Sequence, residues 1–263
     1  MKGSTPRTVE AWARDYITST DLATKLAPPP LPKEWEEAPS ALRISEPGRP
    51  SLLVAAVRDR KTPSVGALAS PERRAELVHT FFHHELQAAE LMAWALLAFP
   101  ETPRPFRMGL LKILQDEVRH MALYREYMLA LGFDVGAFPV RDWFWKRVPN
   151  CLTATHFVAL MGIGFEGANL DHTQRFADRF RAAGDPLGAE LQERIGEEEI
   201  PHVRFAVSWF RKWTDDDSFA AWMGQLVPPL TPTVMRGDPL NRASRLRSGM
   251  SEGFVDDLAR WPS

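Results

Sequence analysis

Two stretches of the chain read Glu-x-x-His: Glu117-Val118-Arg119-His120 and Glu199-Ile200-Pro201-His202. Residues three apart share a face of a helix, so each stretch can present a carboxylate oxygen and an imidazole nitrogen to one side. Alone, such a pair is weak, because a solvent-facing Glu and His at helical spacing look the same. The wider spacing strengthens it. Glu85 stands 32 residues before Glu117 (117 − 85) and Glu166 stands 33 before Glu199 (199 − 166), so a carboxylate followed by Glu-x-x-His occurs twice. Four carboxylates buried together would repel or have to protonate, and two divalent cations remove that conflict. Hard oxygen donors with one imidazole per metal suit iron or manganese, so the expected cofactor is two Fe ions or a Mn/Fe pair.

Such a site needs four helices at matched height. Ser70-Pro71 reads as an N-cap followed by proline at the first helical position, and apolar spacing from Leu77 through Phe81, Ala88, Met92 and Ala95 predicts a helix over about 71–99. Pro100 and residues 101–105 connect it tightly to a second helix, carried by Met108, Leu111, Leu114, Val118, Met121 and Leu129 to Leu131-Gly132. Residues 133–150 mix Gly136, Pro139 and Pro149 with Trp143, Phe144 and Trp145, the composition of a long crossover. A third helix is expected over about 151–183, and Asp185-Pro186 opens a fourth that runs to about Trp213. The midpoint of Glu85 and Glu117 is residue 101, and that of Glu166 and Glu199 falls between 182 and 183; both lie in predicted turns. Each arm from glutamate to turn spans about 16 residues, or roughly 24 Å, so the six side chains can share one layer.

The rest decorates this core. Residues 1–69 carry Ala27-Pro28-Pro29-Pro30-Leu31-Pro32, Pro47-Gly48-Arg49-Pro50 and Thr62-Pro63, and read as a proline-rich arm with a short helix near Val9 to Ile17. The division expected is 1–69 arm, 70–213 bundle and 214–263 helical extension. In the extension, Asp215 to Ser218 opens a helix to about Leu226, and Ser251 caps a last one through Trp261.

Composition narrows the function. A formal net charge of −2 offers no general attraction to nucleic acid, although Arg236, Arg242, Arg245 and Arg247 form a local basic stretch. One cysteine, Cys151, leaves no disulfide framework and no thiolate cluster, so a metal must use oxygen and nitrogen ligands. The charges of Lys2, Arg7, Glu10, Arg14 and Asp15 argue against a secretory signal, and the apolar stretch Phe157 to Phe165 is too short to span a bilayer. A cytoplasmic protein without a membrane segment is the expectation.

Four segments resemble motifs of the ferritin-like di-iron superfamily: His84-Glu85-Leu86-Gln87-Ala88, Asp116-Glu117-Val118-Arg119-His120, Phe165-Glu166-Gly167 and Glu198-Glu199-Ile200-Pro201-His202. The resemblance covers roughly residues 70–213, and within the superfamily the chain is similar to a bacterial branch, a domain of unknown function, related to tRNA-hydroxylase-like and rubrerythrin-like proteins. It implies an all-α, antiparallel four-helix bundle with one long crossover. It also implies Glu85, Glu117, His120, Glu166, Glu199 and His202 as metal ligands, with Glu117 and Glu199 bridging, and Asp116 and Glu198 orienting the histidines. Glu90 stands as the alternative to Glu85. Pro201 departs from the pattern and predicts a kink or bulge beside His202.

The activity implied is that of an oxidoreductase in which the metal pair activates O2 to oxidise or hydroxylate an unidentified substrate. An electron-donor protein and an oligomer are compatible with it. The same ligands can serve ferroxidase, peroxide-scavenging or metal-handling chemistry, and a tRNA-modifying hydroxylase is a further alternative, with the basic tail as its contact surface. His79, His83, His84, His156 and His172 read as packing or surface histidines, with only His84 placed for a supporting role, and Tyr124 reads as core.

Overall fold

The computed structural model describes residues 7–56 and 63–262, so Lys2 and Thr62 lie outside the described residues. The fold is all-α. Among the described residues there are no β-strands, only isolated bridges at Thr8 with Glu34 and Ala55 with Val140. Two compact units result, one of residues 7–56 and 71–149 and the other of residues 63–70 and 150–262.

In the first unit the arm folds into α1 (Val9–Thr18) and α2 (Leu22–Leu26), capped by Thr8 and Asp21, whose side chains accept backbone N–H groups of the first turn. Two long helices follow, α3 (Pro71–Ala98), close to the expected 71–99, and α4 (Arg104–Ala130), which begins within the expected connection 101–105 and ends next to Leu131 as expected. A short turn at Phe99–Pro103 makes them antiparallel, and they pack along their length. From His83 to Ala98 nearly every residue of α3 is buried. The apolar residues of this stretch go all the way round the helix, and its buried polar groups need partners as well, so neighbours must cover every side. Helix α1 covers one side, the arm bonds it through Trp94 Nε1 to the Ile44 carbonyl, and the crossover bonds it through Gln87, which accepts from the Phe144 and Trp145 amides and donates to the Arg141 carbonyl. The proline-rich arm is therefore integral to this unit.

The second unit contains α5 (Ala154–Phe157), a π-helical stretch at Val158–Glu166, α6 (Gly167–Ala182) and α7 (Pro186–Thr214). Asp185 caps α7 by accepting the Gly188 amide, and Gly184 takes the positive φ of 79° that ends α6. The third long helix thus differs from the expected uninterrupted 151–183. Its irregular part is the apolar stretch noted in the sequence, where a side chain on Gly162 would stand 2.2 Å from the Ala206 Cβ and one on Gly164 2.7 Å from the Met235 sulfur. The backbone presses against its neighbours at both glycines and trades regular winding for that contact. Pro201 does not interrupt α7, which is helical throughout. The proline faces solvent, as does Glu197, whose carbonyl loses its helical donor and can be hydrated.

Helices α8 (Phe219–Met223), α9 (Arg242–Arg247) and α10 (Glu252–Arg260) complete this unit, with Ser218 and Ser251 as caps. The tail is pinned to α6 by a fully buried pair, Arg245 with Asp171 at 2.7 Å, and Asp171 also accepts the Gly237 and Asn241 amides. Among the described residues no helix is long and apolar enough to cross a membrane.

Candidate metal centre

Each unit carries three of the six expected ligands, and all six side chains are buried. In the first, Glu85 comes from α3 and Glu117 and His120 from α4. Glu117 and His120 are fully buried, and the His120 Nδ1 lies 3.1 Å from the Glu117 Oε2. One ligand atom from each of Glu85, Glu117 and His120 lies within 4.8 Å of the other two. Donors about 2.1 Å from a shared ion in octahedral geometry stand roughly 3.0–4.2 Å apart, so small side-chain shifts would admit one.

In the second unit Glu166 ends the π-helical stretch and Glu199 and His202 lie on α7. The His202 Nδ1 is 3.0 Å from the Glu199 Oε2, which repeats the arrangement of α4. Nδ1 therefore faces the carboxylate in both pairs. Asn169 donates to the other oxygen of Glu199 at 3.2 Å, holding that carboxylate from both ends. Sequence reasoning passed over Asn169, although it lies one helical turn after Glu166 and so on its face.

The alternative role of Glu90 is resolved by its partners. One of its oxygens accepts from Lys25 Nζ at 2.7 Å and from Arg49, and the other accepts from Trp145 Nε1 at 2.9 Å. Glu90 is thus the anchor that binds the arm and the crossover to α3. Burial outweighs the Glu90 charge and lowers the pKa of Lys25. Asp142 extends the network, bonding to His83 and Arg49; despite burial, these hold its carboxyl far below the usual range.

Tyr16, on α1, was not singled out by sequence. Burial foremost, then the nearby Glu90 and, more weakly, Glu117, raises its pKa well above the ordinary value, so its phenol stays protonated while donating to the Lys25 carbonyl. Tyr124 is buried against Phe81. Asp116 pairs with Arg119 and Glu198 with Arg194 along their own helices. Of the histidines set aside, His79 accepts the Gly136 amide, His83 bonds to Asp142, and His84 packs on Phe144. The four arginines of the tail are all engaged. Arg236 donates to the Ala259 and Trp261 carbonyls, Arg242 to Asp256 and Glu252, Arg245 to Asp171, and Arg247 to Glu197.

The chain belongs to the family described as Protein of unknown function (DUF455), whose model matches residues 4–256. No curated protein and no solved structure matches it.

Proposed function

We propose that the two three-residue sets meet in a single ferritin-like four-helix bundle and hold two metal ions, iron first, in an oxidoreductase that uses O2 on a small organic substrate. The observation that carries this reading is the burial of the same constellation in both units: a carboxylate on one long helix, and on the next a glutamate whose oxygen stands 3.0–3.1 Å from the Nδ1 of the histidine three residues on. Carboxylates buried together would repel one another unless protonated or joined by cations, which is why this reading calls for metal. Glu85, Glu117 and His120 would hold one ion and Glu166, Glu199 and His202 the other, and Glu117 and Glu199 would be the ligands that serve both.

When bound, such a pair supplies electrons and a binding place for O2. The chain's own groups act around it. Asn169 fixes one oxygen of Glu199 while the other stands against the His202 Nδ1, which sets the orientation of the carboxylate. The stretch 158–165 that leads into Glu166 is apolar and buried throughout, so that carboxylate sits in surroundings that offer it few competing partners. Asp116 and Glu198 would orient the histidines.

The test is metal content of the purified protein, then anaerobic ferrous titration followed by O2, on wild type and Glu117→Ala. About two metals per chain, lost in the variant, with an oxygen-dependent optical change, supports the reading. A protein that ignores ferrous iron would sink it. O2 consumption driven by ferrous iron alone, and unaffected by organic substrates, would move the assignment to ferroxidase or other metal-handling chemistry.

A further inference from the structure

We propose that His172, Arg175 and Arg179, on one flank of α6 in the second unit, form a binding site for a phosphate group, free or on a small molecule. The three occupy positions i, i+3 and i+7, one stripe of the helix, and all are half-buried. Both guanidinium groups lie against the Phe176 ring, at 5.0 and 5.7 Å from its centroid, so two positive charges share one apolar support. A basic stripe on a helix is ordinarily a solvated face. Here, however, the Nε of Arg175 is shut off from solvent and has no hydrogen-bond partner.

The partners these groups have do not neutralise their charge. Arg175 donates to the Nδ1 of His172 at 3.2 Å, and Arg179 reaches the Pro63 carbonyl only at 3.5 Å. The nearby carboxylates are Asp171 and Asp238. Asp171 is consumed by Arg245 and two backbone amides. Asp238 is exposed and, among the described residues, forms no ion pair with either arginine. Burial, followed by the like charge of Arg179, lowers the pKa of Arg175, as expected where two cations lack a shared counter-ion. Burial likewise holds His172 at a pKa of about 4, so it is neutral at pH 7. With Nδ1 accepting from Arg175, its proton sits on Nε2, which adds a donor.

Two planar guanidinium forks and an imidazole N–H outnumber the two oxygens of a carboxylate but suit the several oxygens of a tetrahedral phosphate. This site is independent of the metal reading. It is tested by calorimetry and thermal melting of the full-length protein as purified, titrated with inorganic phosphate and, separately, with glycerol 3-phosphate, against chloride at equal ionic strength. Repeating the titration in Glu117→Ala separates this site from phosphate held on a metal.

The expected result is saturable binding with a raised melting temperature, weakened at least ten-fold by Arg175→Ala and by Arg179→Ala. Arg175→Lys, which keeps the charge but not the fork, should lose most of that affinity. Without phosphate, Arg175→Ala should melt no lower than wild type, because the change removes a like-charge contact. Arg181→Ala, at an exposed arginine paired with Glu193, should bind as wild type does. Tighter binding of the ester assigns the site to a phosphorylated compound, and equal binding assigns it to the free ion. Absence of saturation, equal weakening by Arg181→Ala, or a preference for tRNA removed by the same variants would overturn the proposal.

Discussion

Replacing Glu90 with glutamine should separate an anchoring carboxylate from a ligand carboxylate on the same helix. Glu85 and Glu90 are both buried on α3, five residues apart. Glu90 stands against Lys25, Arg49 and Trp145. Glutamine keeps the shape but removes the charge, leaving Lys25 and Arg49 with Asp142 as the one remaining carboxylate of the network. Breaking a buried ion pair from one side costs about 3–5 kcal/mol. Lys25 sets a ceiling, since shedding its proton at pH 7 from an ordinary pKa costs about 4.6 kcal/mol. The loss at pH 7 should therefore be about 3–5 kcal/mol.

The pH dependence has a definite sign. The pKa of Lys25 is already lowered by burial, with Glu90 opposing that shift, so removing the Glu90 charge lowers it further. The folded variant then binds fewer protons than the unfolded chain below the ordinary lysine pKa, and its stability rises with pH in that range. The ceiling on the deficit falls to about 2 kcal/mol at pH 9. Urea denaturation followed by circular dichroism at pH 7 and pH 9, with metal content measured alongside, reads all of this. Glu85→Gln should do the reverse, losing metal while stabilising the metal-free fold by about 1–2 kcal/mol, because one crowded carboxylate is gone. A Glu90→Gln protein within about 0.5 kcal/mol of wild type, or one that loses metal as Glu85→Gln does, refutes the reasoning.

Asn169→Ala removes the donor that holds Glu199 and should weaken metal binding about 10- to 100-fold in a competition titration with a chromogenic chelator, with little change in melting. Gly162→Ala puts a methyl 2.2 Å from the Ala206 Cβ and should cost about 1–3 kcal/mol, read by thermal melting and largely restored by adding Ala206→Gly. His79 has a pKa of about 4, lowered by burial first and then by His83. The unfolded chain therefore binds the extra proton first as pH falls, and the fold loses up to about 3 kcal/mol between pH 6.5 and 4. His79→Gln, which keeps an acceptor for the Gly136 amide, should flatten that loss in urea titrations across the same range.

Helices α3, α4 and α7 were legible in the sequence because their ends carry strong local signals. Ser70-Pro71, Pro100, Gly132 and Asp185-Pro186 fall within a residue or two of the observed boundaries. The burial of six widely spaced ligand candidates followed from the same periodicity. The π-helical stretch was not legible, because its cause lies in Ala206 and Met235, distant in sequence, against which Gly162 and Gly164 press. The role of Glu90 was equally hidden: its partners Lys25, Arg49 and Trp145 are 65, 41 and 55 residues away, and nothing local distinguishes it from Glu85. The basic tail misled in the same way. Four arginines close in sequence look like a surface patch until each is seen to meet its own acceptor.

One helix explains why the arm and crossover are so elaborate. On α3, His79, His83, Gln87 and Glu90 fall on a single stripe at about 100° per residue, and Glu85 lies roughly opposite it. That stripe bonds to the crossover at Gly136, Asp142, Phe144 and Trp145 and to the arm at Lys25 and Arg49. A polar stripe in a buried helix is costly unless every member is satisfied, and here the segments that satisfy it also fix the rotation of α3 about its axis. Rotation by one residue would break most of these bonds at once and carry Glu85 away from Glu117 and His120. The segments that look like ornament in the sequence thus hold Glu85, a carboxylate of the proposed metal site, from behind.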